Sequence, residues 1–402
     1  MSNGYGEREA APRTLAGATI LQIVPALREE PVARTALDIA QALTQWGARA
    51  LVAGAQGPLV EELQAAGGEW IPFANDTVNP LRIRSGARML EDLINRERID
   101  IVHAHSAGGA LSAHMAASQI AVWLVTSLPD VPPTSRFSAF WTGGLARGDR
   151  IIAPSSFAAM PMMQRFDIAR ERITVVPRGI DTAAFDPAAV DSERIAALCR
   201  TWRIPDDARI VLAPGRVAPW NGQLILPDAA RALSDGGMRD LVFVLAGEHA
   251  SHGKYGRAVL KQAQAQGVHG MFRLVGHCRD MPAAFAAADV VAVPAVEAPV
   301  LGRVVAEAQA MGRPVVTSDV GNLPELIVTP PEMPEDVRTG WVVRRGDPIE
   351  FARALGTALT LDGNAYRAMS ARARQFAEYM FSPRSVALAT RTVYTSLLAR
   401  EP

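Results

Sequence analysis

A short apolar run, a loop, an amphipathic segment and a second apolar run follow one another between Ala288 and Ile327. This order confines the chain to folds built from strand–helix–strand units. Val290 to Val293 is β-branched and apolar, as a buried strand requires. Pro294 to Leu301 has no regular period and reads as a loop. Gly302 then opens a helix that carries Val304, Val305 and Ala308 on one stripe. Met311-Gly312-Arg313-Pro314 stops it, because Gly accepts a left-handed cap and Pro cannot continue the helix. Pro314 to Thr317 is the next strand, and Gly321 begins another turn. A helix that starts after a strand-end loop offers unbonded N–H groups to an anion. Gly302 keeps no side chain in the way. Arg303 is within reach of a phosphate, and Glu307 is placed to accept hydrogen bonds from sugar hydroxyls. The same spacing also describes an ordinary unit with Arg303 and Glu307 on a solvated face.

The alternation recurs along the chain. Ala18–Val24, 50–53, 70–73, Ile99–His103, Val122–Ser127, Arg150–Ala153 and Ile173–Val176 read as strands. Thr35–Trp46, Pro58–Ala66, Pro80–Arg96 and Gly108–Ser118 read as helices between them. A second run has strands at Ile210–Ala213, Leu241–Ala246, Phe272–Val275, Val290–Val293, Val315–Thr317 and Gly340–Val343, with helices at Gly222–Ser234, Tyr255–Gln266 and Met281–Ala287. Such alternation predicts an α/β class with doubly wound parallel sheets. The predicted organisation is a disordered tail at 1–15, one Rossmann-like domain at 16–185, a second at 190–380, and a C-terminal helical segment at 381–402. The joint falls near Asp181 to Asp191.

Composition excludes several classes. The 402 residues suffice for two ordinary domains. With 41 basic and 41 acidic residues the net charge is zero, which gives no reason to expect a nucleic-acid partner. Two cysteines, Cys199 and Cys278, make neither a disulfide framework nor a metal cluster, and suit a reducing cytoplasm. No apolar run approaches the about 20 residues of a membrane span. The first residues carry no apolar core of a signal peptide, so none is expected. No G-x-G-x-x-G follows the first strand, which speaks against a dinucleotide-dependent oxidoreductase.

The stretch GRVVAEAQAMGRPVVTSDVGNLPELI resembles the donor-site signature of retaining GT-B glycosyltransferases of the glycogen-synthase-like clan, the family-4-like group. The resemblance extends over about residues 18 to 400. It implies two Rossmann-like domains facing a cleft, the first on the acceptor side and the second holding a nucleotide-diphosphate sugar, with the C-terminal helix crossing back to the first. It also implies sugar transfer with retention, no metal and no other cofactor, and a glycan or lipid acceptor, as in cell-envelope synthesis. Glu307 takes the position of the ribose-binding glutamate. Gly215-Arg216 takes that of a loop whose arginine neutralises the donor diphosphate, which stabilises charge on the leaving group. Gly247-Glu248 and Gly276-His277-Cys278 fall where the nucleobase pocket is lined. Arg178 and Gly179, in PRGID, resemble the hinge-side turn. Glu325 in GNLPELI reads first as charge at a helix start.

Four positions depart from that pattern. Glu30-Pro31 stands for a glycine pair, Pro129 for a histidine that touches the sugar, Asn221 for a lysine, and Pro299 for the first glutamate. Asn221 donates hydrogen bonds but brings no charge. Glu297 is near the Pro299 position but out of register. His103 and His105 end a strand, where an open α/β sheet binds ligands, so His105 is a candidate for the sugar site; satisfaction of both rings by neighbouring loops is the plainer alternative. Losing one charge-stabilising donor costs about two to three orders of magnitude in rate. Two readings therefore stand. One is a divergent enzyme using Arg216, Glu307 and either Glu297 or His105. The other is a catalytically impaired relative that binds a partner or glycan. Arg82, Arg84 and Arg88 on one helix offer a weak peripheral contact with anionic lipid, although such a face is more often simply solvated.

Overall fold

The computed structural model of the chain describes residues 14–73, 77, 79–131, 141–248, 253–298 and 302–400. It contains two compact units. Unit 1 runs through Pro177 and takes up the chain again from Pro383; unit 2 is Arg178–Ser382.

Unit 1 follows the order β1 (Thr19–Ala26), α1 (Pro31–Gln45), β2 (Arg49–Ala55), α2 (Leu59–Ala65), β3 (Glu69–Pro72), α3 (Pro80–Glu97), β4 (Ile101–Ala104), α4 (Ala107–Ala117), β5 (Trp123–Ser127), β6 (Arg150–Ala153), α5 (Ser156–Phe166) and β7 (Ile173–Val175). Its seven strands lie in the order β3-β2-β1-β4-β5-β6-β7, and each described pairing is parallel. Unit 2 continues with α6 (Ser192–Trp202), β8 (Arg209–Pro214), α7 (Leu226–Asp235), β9 (Leu241–Ala246), α8 (Lys254–Ala265), β10 (Phe272–Gly276), α9 (Met281–Ala287), β11 (Val290–Val293), α10 (Gly302–Ala310), β12 (Val315–Ser318), β13 (Gly340–Val343), α11 (Pro348–Leu359) and α12 (Gly363–Phe381). Its six parallel strands are ordered β10-β9-β8-β11-β12-β13. Every residue of β9 and of β11 is buried. This explains their unbroken apolar runs, since a parallel sheet is covered on both faces.

Several elements differ from their sequence reading. Helix α1 begins at Pro31 rather than Thr35. Glu30 is the extended residue before it (φ −112°, ψ 148°). Proline suits the first helical position because its missing N–H would have had no partner there. The predicted helix 222–234 forms only from Leu226; Gly222 sits at φ 70° between two short 3-10 turns. Helix α5 escaped the pattern because Pro161 lies inside it. The stretch from Asp181 to Asp191, read as the joint, lies in unit 2, which begins at Arg178 and buries Ile180 and Phe185. Of the predicted disordered tail, Leu15 is buried against unit 1, and residues 1–13 lie outside the described residues. Both cysteines are free thiols. Among the described residues no helix is long and apolar enough to cross a membrane.

Unit 1 closes with α13 (Pro383–Leu398), which packs on α1 through Val386, Val393, Tyr394 and Leu397. Tyr394 is fully buried, and its hydroxyl lies 2.7 Å from Nδ1 of His103 on β4. Arg391 of the same helix lies over the Trp46 ring at 5.0 Å. Tyr394→Phe keeps the packing but strips a buried imidazole nitrogen of its partner. We expect a loss of about 1–3 kcal/mol. Differential scanning calorimetry will show it as a lower melting transition of unit 1, by about 2–4 °C per kcal/mol.

Candidate functional site

The chain leaves β8 toward β9 and β10 on one side and returns to β11 on the other. The loops after β8 and β11 therefore diverge at the C-terminal edge of the sheet, the place where open α/β sheets bind ligands. Backbone contacts join these loops into one platform. Gly215 (φ 109°) donates its N–H to Ala246 O at 2.9 Å. A Cβ on Gly247 would stand 1.9 Å from Gly215 O, so only glycine allows the β8 and β9 loops this approach. Val217 N–H donates to Glu248 O at 3.1 Å. On the other side a Cβ on Gly222 would stand 1.8 Å from Pro294 O. Trp220 O accepts from the N–H groups of Val296 (3.0 Å) and Glu297 (3.2 Å). The platform thus brings Gly215, Arg216, Gly247, Glu248 and Glu297 together. Glu297 is exposed. The Pro299 position lies outside the described residues.

Arg216 projects from this platform and pairs with Glu248 (Nη2 to Oε2, 3.2 Å), both about half exposed. Asn221, read as a hydrogen-bond donor standing for a lysine, is turned inward instead. It is 3% exposed, and its Nδ2 donates to Arg216 O at 2.7 Å. Gln223, which the sequence reading passed over, donates to the same carbonyl at 3.0 Å. Asn221 Oδ1 and Gln223 Oε1 are buried without a partner among the described residues. Both amides serve to hold the loop that carries Arg216. A polar residue on each side of a loop glycine was the available signal.

Helix α10 supplies the next residues. Arg303 Nε donates to Glu307 Oε1 at 2.6 Å, one turn along the helix. Glu307 is 6% exposed, not on a solvated face. Burial pushes its carboxyl above the usual carboxylate range, with Arg303 pulling the other way. Gly302, read as room for a phosphate, also has side chains close along its Cβ direction. A Cβ there would stand 3.0 Å from Asn322 Nδ2 and from Leu326 Cδ1. Val304, a candidate contact, packs its side chain on the apolar core of unit 2. Gly276 ends β10, two strands from β8; its φ of 73° is what demands glycine. Glu325 lies in a 3-10 turn (Leu323–Leu326), not at an α-helix start.

Unit 1 has its own divergence point, between β1 and β4, and His105 follows β4 there. Its N–H donates to Ile23 O at 2.9 Å. Gln22 is fully buried and gives its Nε2 to Ala36 O at 2.8 Å. Its Oε1 therefore faces His105 Nε2 at 3.1 Å, and that nitrogen is the donor. The His103 ring lies 4.0 Å from His105, held between Tyr394 and Ser127 Oγ (2.8 Å). Burial holds His103 well below the ordinary imidazole pKa, so it is neutral. Partners thus come from strands and a distant helix rather than only from neighbouring loops. Pro129 is half-buried just after β5, and Glu30 and Pro31 are exposed at the start of α1. Among the described residues no group of three or more His, Cys, Asp or Glu is arranged to hold a metal ion.

Residues 208–360 match a family model described as Glycosyl transferases group 1, and residues 32–184 match one described as Glycosyltransferase Family 4. A D-inositol 3-phosphate glycosyltransferase of Salinispora tropica is 34% identical over 238 residues, which cover 58% of this chain and 47% of that protein. A protein of the same description from Streptomyces avermitilis is 31% identical over 261 residues, covering 63% and 53%. The chain spans about half the length of the curated relatives it matches. Among solved structures, a glycosyltransferase from Rickettsia africae superposes with a TM-score of 0.79 at 24% identity, over 95% of this chain and 99% of that one. An Anabaena protein solved in complex with UDP superposes with a TM-score of 0.73 at 19% identity, over 94% of this chain and 100% of that one.

The buried Glu307 generates a test of its own. A carboxyl whose folded pKa lies above its unfolded value holds its proton more tightly in the folded chain. Stability then falls as pH rises from the ordinary glutamate range through the raised value, and the cost is complete above it. Glu307→Gln removes that cost while its Oε1 still accepts from Arg303. We expect a higher melting temperature than wild type at pH 7, with the difference closing toward pH 4.5. A lower melting temperature at pH 7 would contradict the assignment.

Proposed function

The chain belongs to the family-4-like glycosyltransferases of GT-B fold, and from that premise we propose that it transfers a sugar from a nucleotide-diphosphate-sugar donor to a glycan or lipid acceptor, with retention and without a metal. The observation that carries this reading is the unit 2 platform, where Arg216 stands on a rigid strand-end loop and the start of α10 follows with Arg303 and Glu307. Unit 2 holds the donor. Arg216 takes the diphosphate, with Arg303 beside it at the start of α10 still paired to Glu307, and charge-assisted hydrogen bonds from the Arg216 guanidinium stabilise the leaving group. Glu307, raised in pKa and near the helix start, accepts from ribose hydroxyls. Glu297 lies beside the transferred sugar. Unit 1 serves the acceptor through the ring of His105, held by Gln22.

The relatives are described as inositol-phosphate glycosyltransferases, so a phosphorylated polyol joins glycans and lipids as an acceptor class. A cytoplasmic setting at the inner face of the membrane, in cell-envelope synthesis, is supported by the outer face of α3. There Leu81 (78%) and Met89 (55%) are exposed beside Arg82, Arg84 and Arg88. A second reading, a relative that binds without catalysis, is favoured by one observation. Asn221 spends its donor inside the loop and adds nothing to the leaving group.

Calorimetric titration with uridine, guanosine and adenosine diphosphates and their sugars tests the proposal. We expect one nucleotide to bind, and Arg216→Ala and Glu307→Ala each to weaken it by about 10- to 100-fold, the worth of a hydrogen bond to a charged group. Turnover of that donor separates the enzyme from the non-catalytic reading. A folded protein that binds none of the panel would overturn the donor assignment.

A further inference from the structure

Each arginine of the platform is already covered by a glutamate, and the two pairs differ in how readily they part. Arg303 is held by Glu307, whose side chain is 9% exposed. Drawing that arginine away would leave a buried carboxylate alone, a costly change. Arg216 and Glu248 have side chains 53% and 58% exposed. Water replaces their contact at little cost. Arg216 is therefore the cation that a ligand can take over.

We propose that Glu248 is an internal counter-ion which the diphosphate of a nucleotide or nucleotide sugar displaces from Arg216, and that it lowers the affinity of the platform for that ligand. The inference rests on the donor reading above and adds a competitor within the same site. Glu248 is delivered to Arg216 by backbone rather than by chance of rotamer. Gly247 is pressed onto Gly215, and Val217 N–H holds Glu248 O, so residue 248 is fixed beside the arginine loop. That loop, residues 215–223, carries no second cation to compensate, since Asn221 is neutral and turned inward. The platform and the first turns of α10 together hold Glu248, Glu297 and Glu307 against Arg216 and Arg303. Among these five described side chains carboxylates outnumber guanidiniums, and removing one carboxylate within a Debye length favours the anion.

The test is calorimetric titration of wild type, Glu248→Gln and Glu248→Asp with uridine, guanosine and adenosine diphosphates, at about 0.02 M and about 1 M salt, where charge interactions extend over about 20 Å and about 3 Å. Glu248→Gln should tighten binding by about two- to fivefold at low salt, the scale of an exposed ion pair. The gain should largely vanish at high salt, and Glu248→Asp, which keeps the charge, should bind as wild type does. Melting temperatures of the three should agree, since the pair is exposed. Wild-type binding with an unchanged or weakened affinity in Glu248→Gln overturns the counter-ion role; weakening would make Glu248 a positioning residue for Arg216. A gain that persists in 1 M salt overturns the electrostatic cause. Binding by neither protein overturns the donor reading, and this inference with it.

Discussion

The unit 2 site depends on backbone meeting backbone at two glycines. Gly222 lies against the carbonyl of Pro294, and Gly247 against that of Gly215. No Cβ fits at either place. These contacts, with the two N–H groups that share Trp220 O, draw the loops after β8, β9 and β11 together at the divergence point of the sheet. Preorganisation is the consequence. Arg216 leaves a loop whose carbonyl is already held by Asn221 and Gln223, so a ligand finds its guanidinium on a fixed base. A loop of this rigidity has an expense as well. Two buried amide oxygens have no partner among the described residues, and such groups cost stability.

Electrostatics repeats the pattern of local expense. Glu307 is buried on a helix flank where a carboxylate is disfavoured, and one arginine with half its surface in water offsets the burial incompletely. A packing account would place an apolar residue there. A glutamate retained in such surroundings is what a binding role predicts, because strained or poorly solvated groups gather where ligands are met. The contrast with unit 1 is chemical. There the position after β4 carries the His105 imidazole, fixed by a buried glutamine and tilted against the neutral ring of His103.

Much of this was legible in the chain. Val290–Val293, Leu241–Ala246 and Gly340–Val343 were read at their observed bounds, because buried parallel strands are near-continuous apolar runs with proline or glycine at an end, and the helix Met281–Ala287 was read at its bounds too. Glu307 and Arg216 were legible through the motif. The misreadings share a cause. Pro31 looked like a loop residue because periodicity cannot distinguish a helix's first position from the loop before it. Asn221 was placed on a lysine position by its spacing from Arg216, and its amide instead bonds that residue's carbonyl, five residues back. At Gly302, read as room for a phosphate, a Cβ would also press on the side-chain ends of Asn322 and Leu326 at 3.0 Å. The bond from Tyr394 to His103 spans 291 positions, and no local pattern reports a partner that distant.

The two divergence points offer different chemistry, and the difference follows from what each sheet edge can afford to bury. In unit 2 Arg216 and Glu248 sit on loops with water on one side, so both persist as ions whose contact is easily exchanged, whereas Glu307 on α10 is buried. In unit 1 Gln22 and His103 at the edge of β1 and β4 are enclosed while His105 is half-buried, and burial favours the neutral form of His103. Neutral imidazole and amide groups suit hydroxyls, which give and take hydrogen bonds without asking a site to stabilise a charge. The substituted Asn221 leaves that division intact, since it removes a charge from unit 2 without adding one to unit 1.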